Sequence, residues 1–465
     1  MLDNFLELCG FDKTDLDNEK GRVERAFEIA ELGSEDIERA EERVRKYFDI
    51  ELLGIRKCLG IWIKEFADMV LAKEDGKKVV YTIYPSVTQF GLSALLTSED
   101  IYVCAPEVIL DVVMGSILGK IDPILETAEI NGMGPGLGHC ALLQARLGAI
   151  TKGVIPVPDV TLTTGFFCDQ APKTDELIHE IHGTPNIFID RCYEPDWNDW
   201  PNVELRDTKY FGAEIDRSMK EFEQIIGVNL SEEVKKAAFK QNGKGWFAYL
   251  NIVELMRADP VPLTATDGIL LPFFMVISPM RRFINEGTEA LKILHNEVKE
   301  RVKAGIGVTP KGAPRVLIFL PSFVDPSFAH MITRELGIAV PVCSLNWLTP
   351  KELEKTEQRD FGGRIAEAML RRGTFHSASG QISYVKEIAK RWKLDGVIVN
   401  FLFSCRPAAI APLMAKRSLE KELGIPVLSL EYDVYDCRDY STQQVRTRVE
   451  TFAELLKLSK VQEAA

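Results

Sequence analysis

The sequence predicts an α/β protein: two pseudo-repeated Rossmann-like parallel-sheet domains, with a helical extension ahead of them and a helical insert between them. Three observations lead there. Residues 394–436 read as strand, crossover helix, strand: the apolar run Val397–Phe403 gives way at Ser404-Cys405-Arg406-Pro407 to helical spacing as far as Leu423. Gly424-Ile425-Pro426 then leads into a second apolar run, Val427–Leu430. The same order occurs earlier, where Asp159–Phe167 ends in Cys168-Asp169 and a helical stretch passes through Gly183-Thr184-Pro185 to Asn186–Asp190. Residues before 75 and between 211 and 304 instead carry apolar side chains at helical spacing.

Taken in order, residues 1–75 form the helical extension, with Ser34 as an expected N-cap and a helix over Leu52–Ala72. The first α/β domain is expected over residues 76–210. It opens on the strand Gly76–Ser86, followed by a shorter strand at Ile101–Cys104 and a helix from Pro106, a residue that suits a first helical turn. Gly132–Cys140, GMGPGLGHC, is no dinucleotide fingerprint, because its glycines alternate and no apolar strand leads into them. It reads as a flexible approach to Cys140. The helical insert spans 211–310, with Ser231 capping one helix and Asp259-Pro260-Val261-Pro262 breaking the run. The second α/β domain covers 311–465 and opens on Gly312–Ser322.

With 465 residues, 46% of them apolar, the chain can bury several full cores. A net charge of −13 argues against nucleic acid as a partner. The longest apolar run, Gly268–Ile277, is too short to span a bilayer and contains Pro272, and the acidic N-terminus lacks signal-peptide order. A cytoplasmic protein is expected, with no membrane partner. Nine scattered cysteines without a CxxC fit buried apolar residues or soft metal ligands better than a disulfide framework.

The repeat singles out three of those cysteines. Pro85-Ser86 matches Pro321-Ser322 and Asp159 matches Asp395; Cys168 matches Cys405 and His139-Cys140 matches His376-Ser377, one position further on. Parallel α/β sheets place their ligands at the carboxyl ends of the strands, so two facing halves would converge Cys140, Cys168 and Cys405, with Ser377 in the fourth place. Three thiolates leave one iron of a [4Fe–4S] cluster free for water, serine or a substrate oxygen. Structural zinc prefers closely spaced ligand pairs, which are absent from the sequence.

GHCALLQARLG, VPDVTLTTGFFCD, LDGVIVNFLFSCRP and the C-terminal GIPVLSLEYDVYDCRDYSTQQVRTRVETF together resemble the 2-hydroxyacyl-CoA dehydratase and class I benzoyl-CoA reductase family, specifically its cluster-bearing component subunits. The resemblance runs from Lys78 to Leu456. It implies cluster ligands at Cys140, Cys168 and Cys405, an acyl-CoA substrate, and either a homologous second subunit or a self-dimer. It also implies a separate ATP-hydrolysing iron–sulfur activator, and the sequence agrees in having no GxxxxGK[ST]; the nearest stretch, GIGVTPKGA, lacks that ending. The cofactor's part would be low-potential single-electron transfer to a thioester, and the protein's to hold substrate and exclude water.

Secondary candidates follow. Glu107 resembles an acidic family position and is a candidate for proton transfer, or a first-turn carboxylate favoured by the helix dipole. His376 and Ser377 are candidates beside the open iron, with a helix cap as Ser377's plainer role. His179 and His182 share a helix face but lack a third ligand. Arg446 and Arg448 suit CoA phosphates or ion pairs. Cys104, Cys343 and Cys437 lie near expected strand ends and keep open a larger double-cubane cluster, as in a small-molecule reductase without CoA. A metal-free two-domain metabolite-binding protein is the alternative from another class.

Overall fold

The computed structural model describes the chain apart from residues 83–87, 135–138, 167, 192–199, 323, 347–359, 373–376, 403, 439–441 and 465. Four helices come first: α1 (Leu2–Leu8), α2 (Lys13–Ile29), α3 (Ser34–Tyr47) and α4 (Leu53–Leu71). Asp12 caps α2 reciprocally with Asp15. Ser34 is not a cap but the first residue of α3. Gly33 takes the cap position because the Asp36 carboxylate reaches back to its N–H at 2.9 Å. Helix α4 is buried almost all round, which is why its sequence is apolar on every face.

The first half comprises β1 (Lys78–Thr82), α5 (Thr88–Thr97), β2 (Ile101–Cys104), α6 (Pro106–Leu110), α7 (Asp122–Ile130), α8 (Ala141–Lys152), β3 (Val160–Thr164), α9 (Gln170–His182) and β4 (Asn186–Ile189). Helix α6 runs on into a π-helical stretch, Asp111–Ile117. The insert holds α10 (Leu205–Ile226), α11 (Glu232–Leu255), α12 (Ala265–Phe274) and α13 (Thr288–Ala304), and Ser231 does cap α11 by accepting from the Val234 N–H. The second half comprises β5 (Arg315–Phe319), α14 (Pro326–His330), β6 (Ala339–Cys343), α15 (Phe361–Leu370), α16 (Ala378–Arg391), β7 (Gly396–Phe401), α17 (Arg406–Leu423), β8 (Val427–Glu431) and α18 (Thr442–Ala464).

Both sheets are four-stranded and parallel, in the orders β2-β1-β3-β4 and β6-β5-β7-β8, so the two halves share one topology. The Asp159–Asp395 match has a physical basis. Asp159 accepts from the Val79 N–H at 2.6 Å and Asp395 from the Arg315 N–H at 2.7 Å, each closing the entrance to the central strand pair. Pro321-Ser322 follows β5, while Pro85-Ser86 lies outside the described residues. Strands are shorter than the apolar runs that predict them. Phe166, Leu320 and Leu402 lie beyond the paired ladders and are apolar because they are buried, not because they pair.

The helical segments are part of the same body. Helix α4 packs against α2, α6 and α13, and the Tyr102 hydroxyl of β2 donates to Glu65 of α4 at 2.7 Å. One apolar core includes residues from Phe5 in α1 to Leu456 in α18. Among the described residues, no helix is long and apolar enough to cross a membrane.

Candidate functional site

Cys140 is the N-cap of α8, Cys405 the N-cap of α17, and Cys168 stands just before Asp169, the N-cap of α9. Each cysteine follows from the same local rule: a chain leaving a strand or loop turns into a helix, and its first residue faces the sheet's carboxyl edge. Helix N-termini carry partial positive charge and favour thiolates. Ser377 is the N-cap of α16 and occupies in the second half the place of Cys140 in the first. Its hydroxyl accepts from the Gly380 N–H at 3.3 Å and lies 3.1 Å from the Ser379 hydroxyl. His376 lies outside the described residues.

Thiols of both halves lie within electrostatic reach of Cys140. The Cys140 thiol is pushed well up, first by burial, then by the nearby charges of Asp433, Cys405 and Cys168. Burial likewise raises Cys168, opposed by the backbone N–H groups of Ala171 and Gln170. Among the described residues no three His, Cys, Asp or Glu side chains are grouped to hold a metal ion. Cys140, Cys168 and Cys405 are the side chains that could hold an iron–sulfur cluster, which takes one thiolate per iron. The other cysteines have different surroundings: Cys104 faces Tyr102, Glu65 and Glu107, Cys343 takes backbone N–H groups of Leu345 and Asn346, and Cys437 is exposed.

Three further side chains organise this edge. Gln170, the first residue of α9, accepts from the Cys140 N–H at 2.9 Å and donates to the Ser404 carbonyl at 2.6 Å. Arg146 of α8 is fully buried and donates to Glu107 at 2.9 and 3.1 Å, to Asp175 of α9 at 2.6 Å, and to the Thr82 carbonyl. Glu107 is therefore charge-paired. Asp433 accepts from the Ser404 hydroxyl at 3.0 Å and from the Tyr435 N–H at 2.9 Å, fixing the loop that carries Cys405. Asp111, one turn beyond Glu107, is buried, and neither carboxyl oxygen has a hydrogen-bond partner among the described residues. Burial, first, and the neighbouring Glu107, Asp433 and Asp436 push it well up, favouring its protonated form.

Gln170, Arg146, Asp175 and Asp111 did not emerge from the sequence. Arg146 had a signal, a lone charge inside ALLQARLGAI, since a charge on a buried helix needs a partner. Gln170 had none. Of the remaining candidates, His179 contacts the Thr184 carbonyl at 2.8 Å and His182 ends α9. Arg446 pairs with Glu335 and Glu450, and Arg448 donates to the Ser429 carbonyl.

Comparisons with known proteins agree with this architecture. The α subunit of (R)-2-hydroxyglutaryl-CoA dehydratase from Acidaminococcus fermentans is 23% identical over 323 residues, 68% of this chain and 64% of that subunit. A benzoyl-CoA reductase subunit from Thauera aromatica is 22% identical over 403 residues, 83% of this chain and 90% of that one. The (R)-phenyllactyl-CoA dehydratase α subunit from Clostridium sporogenes is 26% identical over 338 residues, 70% and 77% of the two chains. These relatives are enzyme subunits. The family model described as "2-hydroxyglutaryl-CoA dehydratase, D-component" matches residues 103–456, which takes in the second sheet, β3 and β4 of the first, and all three thiols, and the chain belongs to that family.

Proposed function

We propose that the chain is the iron–sulfur subunit of an activator-dependent 2-hydroxyacyl-CoA dehydratase or benzoyl-CoA-type reductase, with Cys140, Cys168 and Cys405 as ligands of a [4Fe–4S] cluster. The observation that carries this is that Cys168 and Cys405, from the two halves, both lie near enough to Cys140 to act on its thiol, each of the three at or beside a helix N-terminus. The donor set fits the group: all-sulfur, with Cys140 buried and Cys168 and Cys405 partly buried, each at or beside a helix N-terminus, whose partial positive charge favours a thiolate. Bound there, the cluster supplies single electrons at low potential.

The rest is done by this chain's own groups. Burial around Cys140 and Phe166 excludes water from the strand ends. Burial favours the protonated form of the Asp111 carboxyl, and the ion pairs of Arg146 fix Glu107 beside it. Ser377 stands where a fourth thiol would make the two halves equivalent. The relatives are each named as one subunit of an enzyme, which supports a second subunit here too, and the CoA thioesters in their names support an acyl-CoA substrate. Without a GxxxxGK[ST], the chain depends on a separate ATP-hydrolysing iron–sulfur activator in this reading.

Anaerobic purification with iron and sulfide analysis tests the proposal. About four irons per chain are expected in the wild type, and Cys405→Ser should lose most of them. A colourless, iron-free wild-type protein, or a Cys405→Ser variant with full iron content, overturns it. About twice as much iron, lost also in Cys104→Ser, favours the double-cubane alternative instead.

A further inference from the structure

We propose that Gln170 is a positioning residue that sets the spacing of the three thiols across the two halves. The inference rests on the reading of Cys140, Cys168 and Cys405 as cluster ligands. Gln170 belongs to the Cys168 segment and its side chain bonds the main chain of the other two cysteine-bearing segments. It opens α9 two residues after Cys168, in the same turn of chain. Its side-chain oxygen takes the N–H of Cys140, 30 residues away, at 2.9 Å. Its side-chain nitrogen gives to the carbonyl of Ser404, 234 residues away and next to Cys405, at 2.6 Å.

The chemistry selects glutamine. One end of its side chain must accept and the other must donate, and a carboxamide does both from one planar group without depending on protonation state. Glutamate keeps the acceptor facing Cys140 and loses the donor facing Ser404. Leucine loses both. The bridge is also one-sided. Cys168-Asp169-Gln170 corresponds in the repeat to Cys405-Arg406-Pro407, and proline offers neither an N–H nor a polar side chain. No symmetric partner at that position duplicates the bridge, so one residue couples the first half's two thiols to the second half's one. Groups that orient metal ligands without binding the metal typically change metal affinity about 10–100-fold when removed.

The test uses the full-length wild type, Gln170→Glu and Gln170→Leu, each reconstituted anaerobically with ferrous iron and sulfide. Three quantities are read: iron per chain, the rate at which a ferrous chelator bleaches the visible absorption, and the electron paramagnetic resonance spectrum of the reduced protein. Thermal midpoints of the metal-free proteins are measured alongside. Gln170→Leu should melt near the wild type when metal-free, yet bleach at least about tenfold faster with an altered resonance spectrum. Gln170→Glu should fall between the two, and it decides the matter if the leucine variant fails to fold. Wild-type bleaching rates and an unchanged spectrum in the variants overturn the role of Gln170 while leaving the cysteines standing. A wild type that takes up no iron removes the cysteine assignment, and this proposal with it.

Discussion

Glu107 and Asp175 reach Arg146 from two different helices, and none of the three side chains has access to water. Arg146 lies six residues after Cys140, and Asp175 lies seven after Cys168, so the bridge ties the two cysteine-bearing helices of the first half at the depth of the core. Burying such charges costs several kcal/mol each unless they are paired, and that makes the bridge sensitive to the loss of one partner. Burial pushes the Asp175 carboxyl up to about 6 even with Arg146 beside it. Arg146→Met should destabilise the fold by about 3–5 kcal/mol, because two buried carboxylates lose their counter-charge. Adding Glu107→Gln and Asp175→Asn to that variant should recover much of the loss. Urea unfolding of the metal-free proteins checks both, and equal midpoints for the single and triple variants would contradict the argument.

Helix pairs meet through glycine where a side chain has no room, two of them beside the parts that carry the site. On α10, a Cβ at Gly212 would stand 2.8 Å from the Gly363 backbone nitrogen of α15, and one at Gly362 would stand 2.2 Å from the Gly212 carbonyl oxygen. This crossing fastens the insert to the second half. On α8, a Cβ at Gly148 would approach the Ile124 carbonyl of α7 to 2.0 Å, so the helix that Cys140 caps depends on a bare backbone to seat against its neighbour. Both contacts are with backbone, which cannot swing aside as a side chain can. Gly212→Ala should cost about 1–3 kcal/mol through overpacking, more than alanine's better helix propensity returns. A thermal midpoint at or above wild type would show that the helices can separate without penalty.

At the scale of the whole molecule, two sheets of the same topology meet a shared helical body, and the thiols come from both. A group bound by both halves stabilises the folded state alone, by about 4 kcal/mol at a thousandfold excess over its Kd. The reconstituted protein is therefore expected to melt higher than the chelated protein, and Cys168→Ser should abolish the difference. Scanning calorimetry of the two forms under anaerobic conditions measures it. Identical melting curves for the loaded and chelated wild type would mean that the proposed cluster does not bind across the halves.

The sequence by itself determined the α/β class, the two halves, the helical insert and the candidate thiols. Those depend on local spacing and on repetition, such as Asp159 and Asp395 each holding the edge of a central strand pair. It overran the strand ends, because burial beyond a ladder looks the same as pairing within it, as at Phe166 and Leu402. It also put the α3 cap on Ser34, where the Asp36 carboxylate makes Gly33 sufficient. Tertiary structure alone decided how the site is held together. Gln170 meets Ser404 across 234 residues, and Arg146 finds Glu107 and Asp175 on separate helices. The periodicity of a chain records which face of an element is buried, but the partner that a polar group finds there is fixed only when the elements pack.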